Sequence, residues 1–136
     1  MVSVREILDA SYPAVVESIP LARRAVVGFA ASEGLGSQQL DGVRLAVTEA
    51  VNNVVLHAYR RGGEVRLTAT VAGNELWVLV SDNGCGYQTP SDNPGLGFGL
   101  AFIADACDDF VITERAEGGT EAQMCFLRGS GPPDGD

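Results

Sequence analysis

Glu49, Asn53 and His57 stand four residues apart in the stretch TEAVNNVVLHAY, residues 48–59. On a helix, residues i and i+4 lie one above the other, so these three polar side chains share a stripe. Leu40, Val43, Val47, Ala50, Val51, Val54 and Ala58 form a broad apolar face beside it. A helix that buries this face on a sheet can aim Glu49 and Asn53 into a cleft. The stripe also fits a solvated helix side, since amphipathic helices commonly carry one.

Three further segments carry residues suited to chemistry. In SDNGCG, residues 81–86, Asp82 follows a strand directly and can accept a hydrogen bond from an exocyclic amine. Gly84 and Gly86 let the backbone approach a ligand without side-chain obstruction. The same residues also make a plain Asp-Asn-Gly turn. In PGLGFGL, residues 94–100, Gly95, Gly97 and Gly99 precede or open a helix, whose free N–H groups and macrodipole suit phosphate. The pattern is neither the dinucleotide fingerprint nor the Walker A loop, and glycine-rich connectors look much the same. In GGT, residues 118–120, Thr120 enters the last strand from what otherwise reads as a hairpin turn.

The elements that must hold these residues follow from periodicity. Residues 2–10 read as a first strand, broken by Tyr12 and Pro13. Ser18 and Pro20 resemble a helix start with Ser18 as N-cap, and helical period runs to about Ser32. Gly34 and Gly36 end that helix. Ser37 can cap a second one reaching about Tyr59. Residues 64–71 and 75–81 alternate as strands around the tight turn Ala72-Gly73-Asn74. Residues 82–99 read as loop, followed by a short helix to about Ala106. Residues 110–115 and 120–127 form a second hairpin. Two hairpins and no strand–helix alternation predict an α+β sandwich with a mixed or antiparallel sheet and helices on one face.

The 136 residues suggest one domain able to bury a core, and we expect it to occupy 1–128 with 129–136 a disordered tail. The net charge is −9, and all nine basic residues are arginines. That balance disfavours a nucleic-acid backbone as partner and favours basic protein surfaces. No apolar run is long enough to span a membrane and no secretory signal opens the chain, so the expected location is the cytoplasm. The three cysteines and single histidine do not make a zinc pattern. Cys107 and Cys125 read as small core residues, and Cys85 as a linker residue.

E-x-x-x-N on a helix, a hairpin, D-x-G-x-G, G-x-G-x-G opening a helix, and G-T before a final strand together resemble the GHKL (Bergerat-fold) ATPase superfamily. The resemblance covers about residues 18–127. The chain is similar in particular to the bacterial anti-sigma factor serine/threonine kinases. Its size, the stretch IPLARRAVVGFA before the motif helix, and the HAY ending of that helix carry the narrower likeness. The resemblance implies a two-layer α/β sandwich with a mixed, mainly antiparallel sheet. It implies ATP and Mg2+ as ligands, with Asn53 on the metal and Glu49 as general base. Asp82 would bind the adenine amine, with Gly84 and Gly86 shaping the same pocket. Gly95, Gly97 and Gly99 would meet the phosphates, and Thr120 would lie near the adenine. His57 receives no chemistry. The implied function is an anti-sigma factor that phosphorylates a serine of an anti-anti-sigma (STAS-domain) antagonist and so controls sequestration of a sigma factor. A homodimer is implied as well. The segment 84–100 contains no arginine or lysine, which leaves phosphate charge to backbone N–H groups and Mg2+. The alternative is therefore a nucleotide-gated partner-binding switch without phosphotransfer.

Overall fold

The computed structural model describes residues 4–58, 63–82, 103–114 and 120–128. Its elements in chain order are β1 (Val4–Pro13), α1 (Ser18–Ser32), α2 (Ser37–Ala58), β2 (Glu64–Ala72), β3 (Glu75–Asp82), β4 (Asp109–Glu114) and β5 (Thr120–Leu127). Residues 103–106 are helical too. The strands form one sheet in the order β1-β2-β3-β5-β4. Each neighbouring pair is antiparallel, so no parallel pair breaks the pattern among the described residues.

Period-two alternation builds the core. Val65, Leu67, Ala69 and Val71 of β2 are buried, as are Leu76, Val78 and Val80 of β3 and Ala122, Met124 and Phe126 of β5. The register sets Leu67 opposite Val80 and Val80 opposite Ala122. These residues therefore share one face. Both helices cover that face: α2 lies against β3, β2 and β5, and α1 packs on α2 and β1. Val26 and Ala30 of α1 meet Val43, Val47 and Val51 of α2 in the same apolar cluster. Each fully buried Val or Leu side chain contributes about 1.5–3 kcal/mol, which makes this two-layer contact the main source of stability.

Local departures from the sequence reading have physical causes. β1 does not stop at Tyr12 and Pro13: Tyr12 pairs with Val65 and Pro13 with Glu64. An edge strand tolerates proline because one side of its backbone needs no ladder partner, and β1 has only β2 beside it. Ser18 is not the N-cap of α1. Glu17 holds that position without a side-chain capping bond, and the Ser18 hydroxyl donates to the Pro13 carbonyl at 2.6 Å. Ser37 is the first residue of α2 rather than its cap. Gly36 caps it: its carbonyl accepts from Leu40 N–H at 2.8 Å, and its own N–H donates to Gln39 Oε1 at 2.9 Å. That is the glutamine half of a capping box. The β2–β3 turn forms where expected, with Gly73 at φ 63°.

No helix among the described residues is long and apolar enough to cross a membrane. Cys107 packs against the core cluster. Cys125 is buried as well, but on the opposite sheet face, in register with Trp77.

Candidate functional site

The two ends of α2 fix where its polar stripe points. At its start, the Gln39 amide donates to the Leu127 carbonyl at the end of β5. A Cβ on Gly42 would lie 2.9 Å from the Ala106 carbonyl oxygen, so α2 approaches residues 103–106 closely. At its far end, Val55 shares a small pocket with residues 14–17. Ala14 N–H in turn bonds the Gly63 carbonyl at 2.9 Å, next to the start of β2. The helix thus runs alongside β3 in the same direction and against β5.

Distance along the elements then places Asn53. It lies fourteen residues beyond Gln39, about 21 Å at the helical rise of ~1.5 Å per residue. Thr120 lies seven residues before Leu127, about 23 Å at ~3.3 Å per strand residue. Asn53 therefore stands level with the beginning of β5 and the end of β3. Asp82 continues the inward alternation of Leu76, Val78 and Val80, and Thr120 heads that of Ala122, Met124 and Phe126. All three residues belong to the same end of the helix-covered face. Thr120 N–H donates to Asp82 Oδ2 at 3.2 Å, which ties the ends of β3 and β5 together through a carboxylate.

Burial sets this group apart from the solvated polar residues of the surface. Asn53 is 3% exposed, Asp82 2% and Thr120 5%; the other buried polar residues among those described are Ser18 and Ser81. Ser18 has its partner in Pro13. Asn53 Nδ2 is the one buried side-chain nitrogen or oxygen with no hydrogen-bond partner among the described residues. A buried unpaired amide costs roughly 1–3 kcal/mol, and in folded proteins such groups are uncommon enough to need a reason. The amide can rotate to present either its nitrogen or its oxygen at that spot. It therefore fits a ligand that brings phosphate oxygens or a hard cation. Glu49, one turn before Asn53, is half-buried. The stripe Gly42, Ala46, Glu49, Asn53 thus starts at the contact with Ala106 and ends at the unpaired amide.

The sequence-predicted residues divide accordingly. Glu49, Asn53, Asp82 and Thr120 are described, and Asn53, Asp82 and Thr120 come to one end of one face. Gly84, Gly86, Gly95, Gly97 and Gly99 lie outside the described residues, as do Gly118, Gly119 and Cys85. His57 is helical, but its side chain is outside what is described. Among the described residues no group of three His, Cys, Asp or Glu side chains stands ready to hold a metal. Any cation near Asn53 takes its remaining ligands from elsewhere. One contact was not anticipated from the sequence: the bond from the Thr120 backbone to Asp82. A backbone donor has no residue-type signature, so only the register of β3 with β5 reveals it. The two described cysteines are not candidates for reactivity. Burial, followed by the neighbouring carboxylate of Asp108, pushes the Cys107 thiol up to about 12. Burial, then Glu75 and Asp108, pushes Cys125 up to about 11. Neither is a thiolate at neutral pH.

Comparison with known proteins shows related sequences and a shared fold. The chain is 27% identical over 129 residues to the anti-sigma F factor of Clostridium acetobutylicum, covering 86% of this chain and 90% of that protein. It is 29% identical over 123 residues to serine-protein kinase RsbW of Bacillus thuringiensis, covering 79% of this chain and 77% of the relative. The crystal structure of the RsbU and RsbW domains of Rv1364c from Mycobacterium tuberculosis superposes with a TM-score of 0.72 at 23% identity, over 90% of this chain. This chain spans only 32% of that longer one, and the likeness establishes the shared fold. Residues 12–126 match the histidine kinase-like ATPase domain, and with that match extending over most of its length the chain belongs to this family.

Proposed function

We propose that the protein is an anti-sigma factor with serine-kinase activity, which binds ATP with Mg2+ and phosphorylates an anti-anti-sigma (STAS-domain) antagonist. The observation that carries this reading is the buried set Asn53, Asp82 and Thr120 at one end of the helix-covered face, with the Asn53 amide unpaired. The named relatives, an anti-sigma factor and a serine-protein kinase, support the choice of partners.

Within this reading, Asp82 accepts a hydrogen bond from the adenine amine while Thr120 N–H holds its other side. Asn53 supplies an amide oxygen to Mg2+, and Mg2+, when bound, offsets charge on the phosphates. Gly84, Gly86, Gly95, Gly97 and Gly99 bring backbone close to the nucleotide. Glu49 takes the proton from the antagonist's serine hydroxyl as its oxygen attacks the γ-phosphorus, and ADP leaves. The protein works in the cytoplasm as a homodimer, and ATP state biases whether the sigma factor or the antagonist is held.

A second reading is favoured by one feature: residues 84–100 carry no arginine or lysine. Phosphoryl transfer depends on positioned positive charge, and a chain lacking it there can bind nucleotide and switch partners without transferring phosphate. Labelled ATP, Mg2+ and a STAS-domain antagonist distinguish the two. Label on an antagonist serine, lost in Glu49→Gln while nucleotide binding persists, supports the kinase. Tight binding with no label supports the switch. Absence of any adenine-nucleotide binding removes both.

A further inference from the structure

The start of α2 borders a cavity of about 270 Å3. Gln38, Gln39 and Gly42 line it from α2, Ala106 and Asp108 from the segment before β4, and Phe126 and Leu127 from the end of β5. Two side chains fix these elements around it. The Gln39 amide donates to the Leu127 carbonyl, and Asp108 Oδ2 accepts from Leu127 N–H at 2.8 Å. Side chains do this because β4 begins only at Asp109, opposite Cys125, and leaves the backbone of Leu127 without a strand partner on that side. The cavity lies about 21 Å along α2 from Asn53, at ~1.5 Å per residue, so it is separate from the nucleotide-binding candidates.

The lining decides what can enter. It holds a carboxylate and amide side chains but no basic group. Ala106 is the last helical residue of its segment, and the last carbonyls of a helix lack an intrahelical partner. A carboxylate offers about four lone-pair sites, and Leu127 N–H occupies one of them at Asp108. The basic residues next along these elements are engaged elsewhere: Arg44 holds Asp41 at 2.8 Å, and Arg128 donates to the Gly73 carbonyl at 2.9 Å. The cavity therefore disfavours anions and suits a cation rich in hydrogen-bond donors. A bare divalent metal does not fit, since no three His, Cys, Asp or Glu side chains come together among the described residues. The volume falls just below the ~300–1,000 Å3 of ordinary ligand pockets, so the guest is small. Ala106, Phe126 and Leu127 offer apolar surface that an alkyl stem can cover while its charged end reaches a carboxylate.

We infer that this cavity binds a small alkyl cation, an ammonium or guanidinium on a short carbon chain, with Asp108 as its anionic partner and Gln38 as a second acceptor. Its occupant adds a link between the start of α2 and the end of β5, beside the one that Gln39 makes. The inference goes beyond the nucleotide reading and does not rest on it.

Titration of the full chain with agmatine, followed through backbone amide shifts by NMR, tests the site. Saturable shifts are expected at residues 38–42, 106–108 and 126–127, weakening as salt is raised, with none from butanol or glutarate. Asp108→Asn keeps an oxygen for Leu127 N–H but loses the charge, and is expected to weaken binding at least about tenfold. Gln38→Met, at an exposed position, removes the second acceptor without touching either bond to Leu127, so weaker binding there cannot be ascribed to lost folding. Asp41→Asn removes an equal charge from the same end of α2 without lining the cavity, and is expected to change binding by less than about twofold. Shifts spread over the whole acidic surface, equal losses in Asp108→Asn and Asp41→Asn, or no saturable binding would overturn the inference.

Discussion

Asn53 is the single side chain at which the proposed function and stability pull in opposite directions. Its Nδ2 is buried without a partner among the described residues, an arrangement that costs stability. Leucine has nearly the same size and no polar atom, so Asn53→Leu removes that cost and adds apolar burial. The ligand-free protein is expected to gain about 1–2 kcal/mol in urea denaturation, while binding of Mg-nucleotide is lost. A fall in stability instead would mean that the amide is already satisfied. The spacing of Glu49 and Asn53 was readable in the sequence, but the burial of Asn53 was not. Helical period alone fits a solvated stripe as well as a buried one, and only the direction of α2 over β3 decides. The two described thiols make a different prediction. Cys107 and Cys125 hold their protons up to about 12 and about 11 in the fold, against an ordinary 9.0. The fold therefore binds these protons more tightly than the unfolded chain does. Their contribution is intact below the ordinary thiol range and is lost as pH climbs toward the folded values. Urea midpoints measured from about pH 8 to 11 should decline, and Cys107→Ala should show a shallower decline.

At the level of elements, two helical glycines give opposite expectations. Gly42 of α2 faces the Ala106 carbonyl, with a hypothetical Cβ at 2.9 Å. A backbone oxygen cannot swing aside, so Gly42→Ala forces α2 away from residues 103–106. The strain, about 1–3 kcal/mol, outweighs the gain of up to ~1 kcal/mol in helix propensity, and the variant should be less stable. Gly28 of α1 has nothing near, and Gly28→Ala should be more stable by about 0.5–1 kcal/mol. Chemical denaturation of the two variants side by side checks both signs. Sequence reading could not tell these glycines apart, since each interrupts a helical pattern in the same way; the difference is entirely in the neighbour. Elements governed by local rules were legible. β2 and β3 alternate cleanly about Gly73, and the turn chemistry sits where the register needs it. Elements governed by position in the sheet were less so. β1 runs through Tyr12 and Pro13 because it lies at an edge, which no local pattern announces.

The whole molecule joins parts that the sequence holds far apart. Asp82 and Thr120 are separated by thirty-eight residues, yet they are bonded at 3.2 Å across β3 and β5. Asn53 reaches the same end of the sheet only because α2 is tied at its start to Leu127. Pattern alone could list these three residues; the resemblance to a known family suggested that they belong together, and the antiparallel order of the sheet supplies the physical means. A nucleotide bound across them would link the helical layer to two strands, and anything that binds the folded chain but not the unfolded one stabilises it by mass action. At a concentration about a hundred times its dissociation constant, the gain is about 2.7 kcal/mol. For a domain of this size that is a rise in melting temperature on the order of 10 °C. Mg-ATP is therefore expected to produce such a rise, and chelating the metal to reduce it. Asp82→Asn keeps an oxygen for Thr120 N–H but loses the charge that favours an amine donor, so it should require at least about tenfold more nucleotide for the same shift. Asn53→Leu should abolish the metal-dependent part while leaving the ligand-free protein well folded. If Mg-ATP shifts all three proteins equally, the nucleotide sits elsewhere and the Asn53, Asp82, Thr120 group serves only to hold α2 to the sheet.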